Sequence, residues 1–352
     1  MPRMADKSPE MRGNPGRPVG PGPGPGVVAP RVEVARATSD TGQASGTERS
    51  HHSRRRAGRR GALRAGLAAA SGALAGAVAL TGLADASASS GCADIAPGFS
   101  CVMQDRIGAV ERYLGDAPGS MAVVLDDRAT GAVWGNANAA VDYPAASTMK
   151  LAMMTDILQR ADVGSINLTS TDRDEMYNAL YTSNDDDATA LWDKYEDGSF
   201  LDRIRAFGMA SAYFTSPVPK WGFMYCSAED LDNLMNYVLA DTPASIRDYL
   251  VYRLQHVSAL DQQWGVWGAG PENHPGNKDG WEQDGDIWIT NTIGFAGPGH
   301  RYILAIMYNL DGYGGHGDAG FEYGTNEVTQ IASLLFQGRH TARPSPLPSA
   351  VP

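Results

Sequence analysis

The order of strand-type and helix-type patterns along the chain restricts its fold more than any other feature. Short apolar runs typical of strands occur at residues 122–125 and 132–134, and strand character returns from residue 277, at 286–295 and 302–308. Between these segments, apolar residues recur at helical spacing. Strands at both ends of a helical middle predict one α/β layer assembled from distant segments, with a helical region inserted. We expect a functional site in the cleft between the two regions.

The helical pattern predicts eight helices and no internal repeat. A glycine-rich run at 312–318 contains one histidine and one aspartate. It is predicted to be a flexible turn, because it lacks the Lys-Ser/Thr of a phosphate loop and offers too few ligands for a metal. The predicted helices are residues 104–114, a helix that carries Ser147 and Lys150, and residues 172–181, 186–194, 200–207, 228–239, 245–255 and 327–336.

The N-terminal segment resembles a leader more than a folded unit. Residues 1–53 are rich in Gly, Pro, Arg and Ser and are predicted to be disordered. Residues 54–88 contain an arginine cluster, an Ala/Gly-rich apolar run and the small residues Ala86-Ser87-Ala88, which predict an export signal cleaved near Ala88. A membrane anchor is the alternative, but the apolar run is only about as long as the shortest spanning helix. Residues 89–338 then form the folded domain, and 339–352 a loose tail.

The charge of the chain excludes several classes of partner. The net charge is −11, and the arginines concentrate in the leader, so the remaining domain is more acidic still. Such a domain is a poor ligand for nucleic acid or anionic lipid. No second apolar run is long enough to cross a bilayer. The sequence therefore predicts no nucleic-acid partner and no integral membrane segment after removal of the signal, which itself predicts a location outside the cell or on the envelope exterior.

The three cysteines, Cys92, Cys101 and Cys226, all follow the predicted signal, as expected in an oxidising compartment. An odd number leaves one unpaired. Either Cys92 pairs with Cys101 and Cys226 is free and buried, or Cys92 carries a lipid and the other two pair.

The segment Ser147-Thr148-Met149-Lys150 carries the chemistry. Residues three apart on a helix face the same side, so the hydroxyl and the amine are neighbours. A partly desolvated lysine can lose its proton near neutral pH and then activate a serine as a nucleophile. A serine nucleophile with an adjacent base is the smallest set of groups that an acyl-enzyme hydrolase requires, although one such pair alone is weak evidence for that function.

Two later motifs, Ser183-Asn184-Asp185 and Lys278-Asp279-Gly280, follow in an order that resembles the class A β-lactamases and related penicillin-recognising serine enzymes. The resemblance covers residues 103–337. It implies an α/β fold in which helices flank an antiparallel sheet, an inserted all-helical region, and an active site in the cleft between them. No metal or cofactor is implied.

The resemblance also implies roles for individual residues. Ser147 is the nucleophile and Lys150 its base or proton relay. Ser183 bridges Lys150 and Lys278 and passes a proton to the leaving nitrogen. The backbone N–H groups of Ser147 and Trp281 form the oxyanion hole.

Three departures from the family pattern affect the expected chemistry. Asp185 replaces an asparagine and can keep Lys150 charged. Asp279 replaces a hydroxyl residue, and a carboxylate there is expected to repel an anionic substrate. Gly280 is expected to let the substrate lie close to the strand, and the Trp281 side chain is expected to flank the substrate. Between Gly208 and Cys226 there is no acidic residue. The acid that activates the deacylating water in class A enzymes is therefore missing.

The sequence predicts an exported serine hydrolase that acylates Ser147 and hydrolyses a β-lactam or related amide, an activity associated with antibiotic resistance. One alternative is a D-Ala-D-Ala-type peptidase or acyl transferase acting on cell-wall peptides. Another is a non-catalytic binder that keeps the cleft without turnover.

Overall fold

The computed structural model describes residues 92, 94–284, 287–311 and 318–338. The predicted leader and signal (1–88), residues 312–317 of the glycine-rich turn and the predicted tail (339–352) lie outside the described residues. Shorter 3₁₀ turns include Ala146–Thr148, Trp221–Phe223 and Gly265–Ala269. The helices are α1 Cys101–Gly115, α2 Met149–Asp162, α3 Ser170–Tyr181, α4 Asp185–Tyr195, α5 Phe200–Arg205, α6 Ala228–Ala240, α7 Ala244–Gln255 and α8 Asp318–Phe336. The strands are β1 Ser120–Asp127, β2 Ala132–Gly135, β3 Tyr143–Pro144, β4 Tyr213–Phe214, β5 Met224–Cys226, β6 Gly276–Asp284, β7 Ile287–Ala296 and β8 Tyr302–Asn309.

The main sheet joins the two ends of the domain. Its five antiparallel strands have the order β2-β1-β8-β7-β6. Strand β1 pairs with β8 over its full length, from Ser120 opposite Asn309 to Asp127 opposite Tyr302. The predicted layer built from distant segments is therefore confirmed, and its edge strand β6 carries the third motif.

Both faces of the sheet are covered. Along β1, Ala122 and Val124 pack into the hydrophobic cluster shared with α2 and α6, whereas Val123 and Leu125 pack into the cluster shared with α1 and α8. Because side chains alternate across a strand, a strand buried on both faces is apolar at consecutive positions. This explains the continuous apolar run that predicted β1.

The start of the last helix differs from the prediction. Helix α8 begins at Asp318, nine residues before the expected start at 327. Two glycines, a threonine and an asparagine lower the helix propensity of this first part. Tertiary packing overrides that propensity: Tyr323 is buried in the cluster shared with α1, and a Cβ atom at Gly324 would come within 2.6 Å of Thr290 Oγ1.

Two further features concern the small sheet and the cysteines. Strands β3, β5 and β4 form a three-stranded sheet beside the cleft, which the sequence did not predict. Cys92 and Cys101 form a disulfide, and Cys226 is free and buried. The first of the two cysteine arrangements is therefore confirmed. Among the described helices, none has the length and apolar character needed to cross a bilayer.

Candidate active site

Ser147 lies at a strained entry to α2. It belongs to a 3₁₀ turn, Ala146–Thr148, rather than to the α-helix itself, and its side chain is almost buried. Ala146 just before it has φ = 48°, a left-handed conformation that costs a residue with a Cβ atom roughly 1–2 kcal/mol. Such strain persists only where the surrounding structure enforces it, and it is common at active sites.

Lys150 lies one turn further, fully buried, and donates to three acceptors. Its Nζ lies 2.5 Å from the backbone oxygen of Ser183, 3.2 Å from Ser183 Oγ and 2.6 Å from Asp185 Oδ1. The ring of Trp221 covers the same amine, with its centroid 4.6 Å from Nζ. None of the three hydrogen bonds reaches Ser147, so Lys150 is turned toward the second motif.

Ser183 connects the two lysines. Its Oγ lies 2.8 Å from Lys278 Nζ and 3.2 Å from Lys150 Nζ. The residue has φ = 63°, a second left-handed, non-glycine position in the site. The turn between α3 and α4 therefore holds this hydroxyl between the two amines that the family resemblance associates with it.

Lys278, on β6, is held by a glutamine that no motif indicated. Its Nζ lies 2.6 Å from Gln262 Oε1 and 2.6 Å from the backbone oxygen of Asp279. The Gln262 side chain is fully buried, and its Nε2 donates to the backbone oxygens of Leu180 and Tyr181 at the end of α3. Gln262 thus links the strand that carries Lys278 to the helix that precedes Ser183.

Burial shifts both lysines toward their neutral forms. Burial lowers the pKa of Lys150, while the hydrogen bond and charge of Asp185 oppose that shift. The pKa of Lys278 lies well below its usual range, because the group is fully buried and because Lys150 is a nearby cation. Burial and the short distance between the two amines therefore disfavour a state in which both are positively charged.

The free edge of β6 offers a backbone N–H to the site. Asp279 N donates to Gln262 Oε1 at 3.3 Å, and Asp279 O accepts from Lys278 Nζ, so the polar groups of Asp279 face away from β7. Strand N–H groups alternate in direction, and Trp281 N–H therefore points to the same free edge. A Cβ atom at Gly280 would lie 2.9 Å from Ser147 N, which places this strand directly against the Ser147 turn.

This packing corrects three expectations about the third motif. The Trp281 ring packs against Trp264 and Phe321 on the α8 side of the sheet, so it does not flank a substrate beside Lys278. Asp279 has no exposed surface, so it cannot contact a substrate in this conformation; Asn277 Nδ2 donates to its Oδ1 at 2.5 Å. Its side chain lies on the opposite face of β6 from Lys278, whose amine bonds Ser183, because alternate residues of a strand face opposite sides of the sheet. Gly280 is needed for the contact with the Ser147 backbone rather than for space beside a substrate.

Asp185 lies at the rim of the site. Its side chain is 74% exposed, although its Oδ1 bonds the buried Lys150. It begins α4 together with Asp186 and Asp187, which are acidic residues of the first helical turn. Asn184 caps this helix, accepting from Asp187 N at 2.9 Å.

The segment between α5 and α6 covers the site without an acidic residue of its own from 209 to 225. Trp221 is the buried side chain that this segment places over Lys150, and its Nε1 donates to Thr189 Oγ1 at 3.3 Å. Glu229 and Asp230 belong to the first turn of α6, as predicted. The described residues contain no group of three or more His, Cys, Asp or Glu placed to hold a metal ion.

Comparison with solved structures identifies the architecture. An ancestral class A β-lactamase (GNCA) matches with a TM-score of 0.54 and 16% sequence identity, over 66% of this chain and 99% of that one. The chain has the class A β-lactamase fold. A β-lactamase from Sphaerobacter thermophilus DSM 20745 matches this β-lactamase-like chain with a TM-score of 0.52 and 16% identity, over 67% of this chain and 97% of the other. No family model and no curated protein matches the sequence.

Proposed function

We propose that this protein is an exported serine hydrolase of the β-lactamase type, which forms an acyl-enzyme at Ser147 and hydrolyses a β-lactam or related amide. The observation that carries the proposal is the position of Ser183 Oγ, 2.8 Å from Lys278 Nζ and 3.2 Å from Lys150 Nζ, with Ser147 one turn before Lys150 along the chain. Export is the prediction made from residues 54–88, and it would bring the enzyme to such substrates.

The proposed acylation begins with a neutral Lys150. As Ser147 Oγ bonds to the carbonyl carbon, its proton passes to Lys150 Nζ, directly or through the Ser183 hydroxyl. Lys150 keeps two acceptor-only partners, the Ser183 backbone oxygen and Asp185 Oδ1, so two of its hydrogens are already engaged. The remaining position on the nitrogen is left for the transferred proton.

The tetrahedral intermediate collapses when the leaving nitrogen gains a proton. In the proposal, Ser183 Oγ donates it and recovers a proton from Lys150 or Lys278. The negative charge on the carbonyl oxygen is stabilised by the N–H groups of Ser147 and Trp281, which lie on adjoining backbone segments.

One observation favours the second candidate, a peptidase or acyl transferase. The segment that covers Lys150 contributes the Trp221 indole and contains no carboxylate from 209 to 225. It therefore has no group that could activate a water molecule. An acyl-enzyme in this site would then wait for another nucleophile, such as an amine. The former expectation that Asp279 selects uncharged or cationic substrates is no longer supported, because that carboxyl is buried.

Intact-protein mass spectrometry with a panel of penicillins, cephalosporins and carbapenems tests the proposal. We expect an adduct in the wild type and none in Ser147→Ala. Decay of the adduct within seconds supports the β-lactamase, whereas a stable adduct that an added amine releases supports the transferase. Absence of any adduct across the panel would leave the non-catalytic binder as the better reading.

Asp185→Asn should shift the rising limb of the acylation pH profile to lower pH. The carboxylate opposes the lowering of the Lys150 pKa, and its removal lets burial lower that pKa further. Because Asp185 is 74% exposed and screened by water, we expect a shift of roughly one pH unit or less. Adduct formation measured from pH 5 to 10 gives the profile, with Asp186→Asn as the matched control. A shift to higher pH would contradict the role given to Asp185.

Gln262→Met should slow acylation without removing a catalytic atom. The variant keeps the side-chain volume but leaves Lys278 and the end of α3 without the shared amide, and misplacement of about 1 Å can cost about 10²-fold in rate. Gln263→Met, at the exposed neighbouring position, serves as the control. Unchanged acylation and an unchanged pH profile in Gln262→Met would show that the amide has only a structural role.

A further inference from the structure

A second cavity lies in the helical region, separate from Ser147. It has a volume of about 740 Å³ and opens between α2, α3 and α7. This size is within the range of small-molecule sites. None of the residues of the candidate active site contributes to its wall, which is formed by Leu158, Ala161, Asp162, Leu168, Arg173, Asp174, Met176, Tyr177, Ser245, Ile246, Tyr249 and Arg253.

Three tyrosine rings fix the guanidinium of Arg253 in this cavity. Its Cζ lies 4.8 Å from the ring centroid of Tyr177, 5.0 Å from that of Tyr249 and 5.7 Å from that of Tyr252. Cation–π contacts of this kind hold a planar cation in one orientation. The group is therefore ordered before any ligand arrives.

The donors of Arg253 have no acceptor in the described part of the chain. Its Nε is buried and unpartnered, and no ion pair or hydrogen bond engages the rest of the guanidinium. Arg160, Arg203 and Arg301 each pair with a carboxylate instead. A guanidinium carries five N–H donors suited to a bidentate carboxylate, and a buried unpartnered donor is rare in native proteins.

The remaining wall defines what else a ligand would contact. Leu158, Met176 and Ile246 provide apolar surface, and the tyrosine faces suit a flat or aliphatic group. Arg173 lies one helical turn before Tyr177 and adds a second cation, while the exposed Asp162 and Asp174 stand on the rim and would repel a second negative charge. The cavity fits a molecule with one carboxylate and an apolar body.

We propose that this cavity binds a small aromatic or aliphatic monocarboxylate, whose carboxylate pairs with the guanidinium of Arg253 while its apolar part packs on the α2, α3 and α7 side chains. The site lies outside the catalytic cluster and does not depend on the proposed acylation chemistry. It is a binding site, with no covalent step.

Isothermal titration calorimetry of the full chain tests the site with 3-phenylpropanoate, indole-3-acetate and octanoate, and with 3-phenylpropylamine as the cationic counterpart. We expect saturable binding of at least one carboxylate, and none of the amine. Arg253→Gln should weaken that binding by at least tenfold. Arg247→Gln, on the same helix but exposed and paired with Asp248, should leave it unchanged.

Arg253→Lys separates charge from geometry, because it keeps the cation but loses the planar fork. We expect affinity between those of the wild type and Arg253→Gln. Far-UV circular dichroism and thermal melting establish that each variant is folded. The proposal is overturned if none of the three carboxylates binds, or if a folded Arg253→Gln binds as tightly as the wild type.

Discussion

Ser183→Ala should lower the rate of Ser147 acylation by about 10²–10⁴-fold, the usual contribution of a positioned acid or base. The hydroxyl is the group that Lys150 and Lys278 share, at 3.2 and 2.8 Å. Without it, a proton taken from Ser147 has no route to the leaving nitrogen. The two buried amines also face each other without the intervening oxygen, which disfavours a charge on either one.

Backbone strain at position 183 allows a sharper design. Because φ is 63°, alanine keeps the strain of serine, whereas glycine relieves it. Ser183→Gly and Ser183→Ala should therefore lose acylation rate to a similar extent, while the glycine variant is the more stable protein. The exposed neighbour Thr182→Ala controls for changes to the turn. Near-normal rates in both Ser183 variants, measured by adduct formation, would refute the proton relay.

Asp232→Asn should remove a pH dependence of stability between about pH 4 and pH 8. Asp232 on α6 is buried, with Oδ1 unpartnered, and faces Asp126 on β1. Burial, with the negative charges of Asp126 and Glu229, raises the pKa of Asp232 to about 8. The native state therefore keeps this carboxyl protonated over a range in which the unfolded chain, with a pKa of about 3.9, releases the proton.

The sign of this effect follows from which state holds the proton. A raised native pKa stabilises the fold fully below the unfolded pKa, and that contribution is lost as the pH rises to about 8, at about 1.4 kcal/mol per pH unit at most. The asparagine variant has no such loss, so it should gain stability over the wild type progressively from pH 5 to pH 8. Glu196, whose pKa burial also raises to about 8, is present in both proteins and cancels.

Urea unfolding at pH 5, 6.5, 8 and 9 measures the difference. The exposed Asp241→Asn, at the end of the same helix, should run parallel to the wild type. A constant offset between Asp232→Asn and the wild type at all four pH values would mean that Asp232 is ionised in the native protein.

The sequence predicted those parts of the fold that rest on long regular patterns. Consecutive apolar residues in β1 and β8 predicted strands, and helical spacing predicted α2 and α6. The three-stranded sheet was not predicted, because its strands have only two or three residues and are too short to show the alternation of apolar and polar residues typical of a strand. The early start of α8 was not predicted, because the intrinsic propensities of its first residues disfavour a helix and only tertiary packing favours one.

In the candidate site, the motifs predicted which residues lie close together but not the directions in which their side chains point. Ser183 lies between Lys150 and Lys278, as the motif order indicated. The burial of Asp279 could not be read from the motif, because it depends on which face of β6 turns toward the cleft. The role of Gln262 could not be predicted, because a single glutamine belongs to no motif and has no recognisable partner in the sequence.

Helices α1 and α8 lie side by side, with Arg106 Nη1 donating to Leu335 O at 2.9 Å. Both belong to the layer on the opposite side of the sheet from α2. An affinity tag, surface tether or fusion partner attached at either end of the domain would therefore emerge behind the sheet, and an immobilised protein would keep the α2 side of the sheet facing solution.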